Sequence, residues 1–204
     1  MRSLLFSKIG IYARLLRISN WIKNLFLFVP WLFAKQMFFK ESTVEILIAF
    51  FSFCFISSFA YIINDLFDLE NDRCHPVKKE RPLVTGEVKI KEAAVLILFT
   101  AAVSLALALQ LNGKFLIIIA AYAVINFFYS LKLKDIVLID IFTIAAGFVL
   151  RIAAGAVAID VVISKWLLLT TLFISLFLAV MKRRGELTAN PGNGNTRKVL
   201  SEYT

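Results

Sequence analysis

Six stretches of this chain are apolar over lengths close to what a bilayer requires: residues 24–39, 44–63, 93–111, 115–129, 136–159 and 166–181. A helix of about 20 apolar residues crosses the hydrocarbon layer. Inside that layer each backbone N–H and C=O must be satisfied within its own segment. Such runs, in 204 residues of which 60% are hydrophobic at a mean hydropathy of +0.81, exclude a water-soluble domain. The expected fold is all-α, a polytopic membrane bundle of six transmembrane helices. The first and fourth runs are short or interrupted, and Pro30 is expected to kink the first.

The basic residues give the expected orientation. Of 23 Lys and Arg, eighteen lie in segments 1–23, 64–92, 130–135 and 182–204. Only Lys35, Lys40, Lys114 and Lys165 lie in the alternate segments, and Arg151 lies inside a run. The positive-inside rule then places both termini and the loops 64–92 and 130–135 in the cytoplasm, with the chain in the cell (inner or plasma) membrane. Two parts are expected: a transmembrane bundle over 1–181 and a basic cytoplasmic loop or tail over 182–204, with a Pro/Gly/Asn turn region at 190–195. The formal charge of +9 belongs mostly to one face. There it attracts anionic membrane lipid or phosphorylated substrates. Charge this dispersed, on a membrane chain, argues against nucleic acid as a partner. Residues 1–23 are too charged for a cleavable signal peptide; Arg14, Arg17 and Lys23 are spaced as in an interfacial amphipathic helix. Cys54 lies in a run and Cys74 in a loop, so no disulfide is expected.

Between the second and third runs lies the most informative polar stretch, residues 58–86. Ser58, Tyr61, Asp65, Asp68 and Asp72 follow one another at spacings of 3, 4, 3 and 4. If the helix continues, they form one stripe. Three carboxylates on one stripe repel each other, and a divalent cation removes that repulsion. Mg²⁺ suits the set, because it takes oxygen ligands, uses few carboxylates and completes its shell with water and phosphate. Asp65, Asp68 and Asp72 are the candidate metal ligands; Asn64 adds a neutral oxygen or a phosphate donor. Arg73, His75, Lys78, Lys79 and Arg81 follow, in a loop stiffened by Pro76 and Pro82. Guanidinium and ammonium groups beside a metal platform are what a diphosphate needs. The competing explanation is a solvated charged loop between membrane helices. His75 is the only histidine, so no dyad or triad with a second imidazole is available.

Other polar groups carry weaker signals. Lys23 and Asn24, at the entry to the first run, read either as phosphate contacts or, with Trp21, as interfacial anchors. Tyr129, Lys132 and Lys134 lie on the same face as the acidic stretch and read either as site residues or as topology signals. Asp140 and Arg151 are 11 residues apart within one run, about 20° apart around a helix axis, and Gly147 shares their face. Ionisable groups inside a membrane helix face a cavity or a partner; a salt bridge between helices is the structural alternative. Tyr122 and Asn126 extend a polar side of the fourth helix.

Asn64-Asp65-x-x-Asp68-x-x-x-Asp72 resembles the first aspartate-rich motif of the UbiA superfamily of intramembrane prenyltransferases. The longer string Asp72-Arg73-x-His75-Pro76-x-Lys78-x-x-Arg81-Pro82 is more specifically similar to the superfamily's polyprenyl-phosphate phosphoribosyltransferase branch. Trp21-x-Lys23-Asn24, Tyr129-Ser130-x-x-Leu133-Lys134, Asp140, Leu150-Arg151-x-x-Ala154-Gly155, Lys182-Arg183-Arg184-x-Glu186-Leu187 and Arg197-x-x-Leu200-x-x-Tyr203 agree with it. The resemblance implies a helical bundle around a cavity open to the cytoplasm and to lipid, and a Mg²⁺-dependent transferase. The implied donor is 5-phosphoribosyl 1-diphosphate and the implied acceptor a polyprenyl phosphate, giving a precursor for arabinose transfer to cell-envelope glycans. By position, Asn64, Asp65, Asp68 and Asp72 would hold metal and diphosphate. Lys78, Arg81 and Lys134 would clamp phosphates, with Lys23, Asn24 and His75 as further substrate contacts. Tyr129 and Asp140 would line the second side, Asp140 orienting ribose hydroxyls, and Arg151 would meet an anionic group. Asp65, Asp68 and Asp140 are the catalytic candidates.

Two departures accompany the resemblance. Members of the superfamily normally have nine helices, so the six runs here read as a chain lacking the last three. Asp135 and Asp140 are five apart and do not make a second Asp-x-x-x-Asp motif, which argues against the aromatic prenyltransferases. The readings kept beside the lead are prenyl transfer from a prenyl diphosphate to an aromatic or haem-like acceptor, and an inactive homologue or lipid-binding subunit that retains the motifs.

Overall fold

The computed structural model describes residues 2–136 and 138–189, and the side chains of 8–136 and 138–185. Arg197, Leu200, Tyr203 and the 190–195 turn region lie outside the described residues, as do the side chains of Glu186 and Leu187. The described residues form eight α-helices, in order α1 (Arg2–Leu15), α2 (Phe28–Phe33), α3 (Lys40–Phe67), α4 (Leu69–Arg73), α5 (Ile90–Ala108), α6 (Gly113–Leu131), α7 (Ile139–Ala158) and α8 (Lys165–Ala189). Among the described residues there is no strand.

Among the described residues, five helices are long and apolar enough to cross a membrane: α3, α5, α6, α7 and the Lys165–Gly185 part of α8. The chain is a multi-pass membrane protein. The sixth expected helix, over 24–39, is not a continuous span. It is replaced by a 3-10 segment, Ile18–Leu27, followed by the short α2, a left-handed turn at Lys35 (φ 56°) and a second 3-10 turn, Gln36–Phe38. Pro30 accounts for part of the break, since it has no N–H to give the carbonyl four residues back and fits only the first turn of a helix. Side-chain anchoring accounts for more. Trp21 Nε1 donates to Ser58 Oγ at 3.0 Å and Asn24 Nδ2 to Cys54 Sγ at 3.3 Å, so the segment runs antiparallel to α3. Drawn out at 3-10 and α rises, residues 18–33 reach about 29 Å.

α3 is the centre of the bundle, in contact with α5, α6, α7 and the 3-10 segment. Its inner face carries Ile46, Ala49, Phe53, Ile56 and Ala60, packed against Leu27, Phe115, Ile119, Tyr122 and Ala154. Small polar residues close the α3–α5 seam. Ser52 Oγ donates to the Ser104 carbonyl and Ser104 Oγ to the Ser52 carbonyl, both at 2.9 Å. In a medium without water such reciprocal bonds satisfy hydroxyls that lipid cannot. Asn112 caps α6 by accepting from Phe115 N at 3.0 Å, while its Nδ2 donates to the Val157 carbonyl at the end of α7 (2.7 Å). At the polar end, Leu15, Ile62, Leu83, Val88 and Ala93 form a second small core that seats α1 and the loop after α4 on α3. The outward faces of α5 and α8 expose Leu98, Phe99, Phe173 and Phe177, as lipid-facing surfaces do.

Gly155 lets the 3-10 segment lie directly on α7. A Cβ there would stand 2.0 Å from the Leu27 carbonyl oxygen, whereas at Gly113 it would meet nothing within 4 Å. Gly155→Ala is expected to cost about 1–3 kcal/mol through overpacking and to lower the unfolding midpoint in detergent; Gly113→Ala is expected to leave it unchanged. Equal midpoints for the two variants would show that the close approach is not required.

Candidate functional site

Ser58, Tyr61 and Asp65 do share one side of α3, and that side meets the turn leading out of α1. Ser58 Oγ donates to the Leu16 carbonyl at 2.7 Å. The Arg17 guanidinium lies over the Tyr61 ring, 4.9 Å from its centre, and pairs with Asp65. Arg17 adopts a left-handed backbone (φ 51°, ψ 49°), a conformation that costs a non-glycine residue about 1 kcal/mol. Its ion pair and ring contact hold it there. The stripe is interrupted at Asp68, which caps the end of α3 before α4 begins.

Each of the three acids is buried and each meets a cation. Asp65 accepts from Arg81 Nη1 at 2.9 Å as well as from Arg17. The same Arg81 nitrogen pairs with Asp72, which also has Lys78 Nζ at 3.7 Å. Asp68 turns the other way, pairs with Lys134 and accepts from Asn64 Nδ2 at 3.0 Å. Asn64 Oδ1 in turn accepts from Ser130 Oγ at 3.3 Å. Lys134 is therefore on the same end of the bundle as the acidic stretch. The expected three-carboxylate platform divides into a pair, Asp65 and Asp72, gathered on one guanidinium, and a single Asp68 facing the α6–α7 connection. Among the described residues no group of three or more His, Cys, Asp and Glu stands ready to hold a metal. Two carboxylates converging on one cation, with the Asn64 and Asp68 oxygens nearby, nonetheless fit a hard divalent ion that uses few carboxylates and fills its shell with water and phosphate.

Beside this cluster opens a cavity of about 720 Å³. Its lining includes Arg17, Lys23, Lys78, Arg81, Arg151 and Lys182, together with His75, Asn64, Tyr61, Tyr122, Asn126 and Tyr129. No Asp or Glu lines it among the described residues. His75 is fixed through Nδ1, which accepts from the backbone N–H groups of Val77 and Lys78 at 3.2 and 3.3 Å. Lys79 is exposed and outside the lining. Asn24 is fully buried and does not line the cavity; it holds Arg151.

Asp140 and Arg151 share a face of α7 but do not pair. Asp140 is fully buried and meets Arg183 of α8: Nε donates to Oδ2, and Nη2 donates to Oδ1 at 2.6 Å. Tyr129 O–H donates to the same Oδ1 at 2.8 Å. This is a salt bridge between helices. It leaves Asp140 joined to α6 and α8 rather than open to the cavity. Arg151 donates to Asn24 Oδ1 (2.8 Å), the Gly147 carbonyl (2.7 Å) and the Tyr122 hydroxyl (2.9 Å). It sits over the rings of Tyr122, Phe53 and Phe148 at 5.0, 5.5 and 5.6 Å.

Arg17 and Arg183 are the functional candidates that local spacing missed. Arg17 shows only an amphipathic periodicity, and Arg183 lies in a basic run that agrees with the family resemblance but names no partner. Both partners are remote in sequence, so no local pattern pairs them with Asp65 and Asp140.

The described residues thus form an all-helical membrane bundle with an acidic cluster and a cationic cavity at one end. The UbiA prenyltransferase family matches residues 25–184, and the chain belongs to that family. It is 36% identical over 193 residues to a decaprenyl-phosphate phosphoribosyltransferase from Mycolicibacterium smegmatis; the match covers 92% of this chain and 61% of that protein. A decaprenyl-phosphate phosphoribosyltransferase from Corynebacterium glutamicum is also 36% identical, with 93% of this chain and 58% of that protein covered. The chain thus spans about three-fifths of the length of these curated relatives. A solved UbiA homolog from Archaeoglobus fulgidus, bound to DMAPP and Mg²⁺, superposes with a TM-score of 0.73 at 24% identity, covering 91% of this chain and 66% of that one. That likeness establishes a shared fold.

Breaking a buried ion pair on one side leaves the other charge uncompensated, at about 3–5 kcal/mol. Asp140→Asn and Arg183→Met are each expected to lower the unfolding midpoint by amounts of that order. The double variant is expected to recover a large part of the loss. Additive losses in thermal unfolding would show that the pair is not a coupled unit.

Proposed function

We propose that this chain carries the site of a phosphoribosyltransferase acting on a polyprenyl phosphate, with 5-phosphoribosyl 1-diphosphate as donor. The observation that carries the proposal is the cavity lined by six cations and, among the described residues, by no Asp or Glu. Such a lining suits a substrate with several anionic groups. The names of the two relatives point to the same chemistry. The loop distribution of Lys and Arg supports a cytoplasmic position for this end of the bundle, where the soluble donor is found.

The reaction forms one bond and breaks one. A phosphate oxygen of the lipid attacks the anomeric carbon of the ribose, and the bond from that carbon to the diphosphate oxygen breaks. Diphosphate leaves with the electron pair. The nucleophile is already ionised at neutral pH, so it needs positioning more than a strong base, consistent with the single histidine. The leaving group needs its charge neutralised. Lys78, Arg81 and Arg17 line the cavity, where they can take phosphate oxygens. Asp65 and Asp72, with Asn64 and Asp68, are the residues that would hold Mg²⁺, which when bound stabilises charge on the departing diphosphate. Tyr129 lines the cavity and is oriented by Asp140, which Arg183 fixes in turn. In this role Asp140 is a positioning residue.

A second reading has one observation in its favour: the Archaeoglobus homolog holds DMAPP. In that reading the diphosphate belongs to a prenyl donor and the acceptor is an aromatic ring. Membranes containing the chain, incubated with phosphoribosyl-labelled donor and polyprenyl phosphate, are expected to yield labelled lipid. Label confined to water-soluble material, with a prenyl diphosphate consumed instead, would favour the second reading.

Asp65→Asn and Asp68→Asn are each expected to lower that lipid labelling below detection while the protein still inserts. Lys78→Ala is expected to lower it far more than Lys79→Ala. Equal losses at the two lysines would show that bulk charge, and not the cavity, sets the rate.

A further inference from the structure

Arg151 stands apart from the other buried cations. Lys134 and Arg183 each pair with a carboxylate, as do the partly buried Arg17 and Arg81. Arg151 is 5% exposed, and no carboxylate pairs with it among the described residues. Its partners are an amide oxygen, a backbone carbonyl and a hydroxyl. A guanidinium has five N–H groups, and three have partners here. A buried arginine within a membrane helix faces a cavity or a partner. It also lines the cavity, as does Lys23.

We propose that Arg151 and Lys23 form a second phosphate subsite, distinct from the diphosphate position at Lys78 and Arg81, and that it receives a phosphate monoester. This rests on the phosphoribosyl reading above. The occupant the geometry favours is the 5-phosphate of the donor, because that substrate carries anionic groups at two ends. Asn24, Gly147 and Tyr122 fix the guanidinium through three separate hydrogen bonds, so it is presented to the cavity with little freedom left to lose. The rings of Tyr122, Phe53 and Phe148 lie 5.0, 5.5 and 5.6 Å from it and add cation–π contacts. An allylic prenyl diphosphate has one charged end and an apolar tail. It would leave Arg151 desolvated against hydrocarbon, so the same residue selects against that donor class.

The full chain in nanodiscs is titrated calorimetrically with inorganic diphosphate, ribose 5-phosphate and farnesyl phosphate, as wild type, Arg151→Gln and Lys23→Met. Arg151→Gln is expected to weaken ribose 5-phosphate by about 30-fold or more and to leave inorganic diphosphate within about twofold. Lys23→Met is expected to weaken the same ligand to a smaller extent. Unchanged ribose 5-phosphate with weakened farnesyl phosphate would move the subsite to the lipid acceptor and overturn the donor assignment. No weakening of either ligand would overturn the subsite. Should Arg151→Gln lose inorganic diphosphate as well, the fold is disturbed and Lys23→Met decides. Wild type that binds diphosphate and ribose 5-phosphate but forms no labelled lipid would sink the proposed reaction while leaving the subsite standing.

Discussion

One guanidinium, that of Arg81, touches both Asp65 and Asp72, and the polar end of the bundle depends on contacts of this kind. Carboxylates at the edge of a membrane cannot be left bare, because a lone buried charge costs several kcal/mol. Here the compensation is distributed. The turn after α1 supplies Arg17, the loop after α4 supplies Lys78 and Arg81, and the α6–α7 connection supplies Lys134. α8 does the same for α7 through Arg183. The charge pairs therefore tie together elements that the apolar core alone would leave free to slide in lipid, where hydrophobic burial does not favour one helix over another.

The same pairs set the chemistry available to the site. A carboxylate that shares a guanidinium with a second carboxylate is preset for a cation. A guanidinium that borders an open cavity is preset for an anion. On the proposed reading, a ligand bringing both a divalent ion and phosphate groups would exchange the internal pairs for external ones. Free Mg²⁺ or free phosphate alone would satisfy only half of that exchange.

The acidic spacing and the basic loop were legible in the sequence because both are local. Asp65 and Asp72 fall about 20° apart on a helical wheel, and they do converge. Asp68 did not join them, because α3 ends one residue before it and Lys134 draws it aside, a partner 66 positions away. Periodicity also puts Asp140 and Arg151 on one face. The two do not pair because 11 residues separate them by about 16 Å along the axis, beyond the reach of either side chain. Their true partners, Arg183 and Asn24, come from other elements. The broken first span was half visible: Pro30 announced a kink, but the 3-10 geometry depends on Trp21, Asn24 and Gly155 finding α3 and α7. Local patterns thus fix which residues are polar together, and long-range pairing decides which way each one turns.

The most direct test of the exchange of ion pairs is an experimental structure of the chain in lipid with Mg²⁺ and inorganic diphosphate together. The expected result has the Arg81 guanidinium drawn off Asp65 or Asp72 and onto a diphosphate oxygen, with the metal against the carboxylates it leaves. Diphosphate bound away from Lys78 and Arg81, with Arg81 still bridging both acids, would contradict the account.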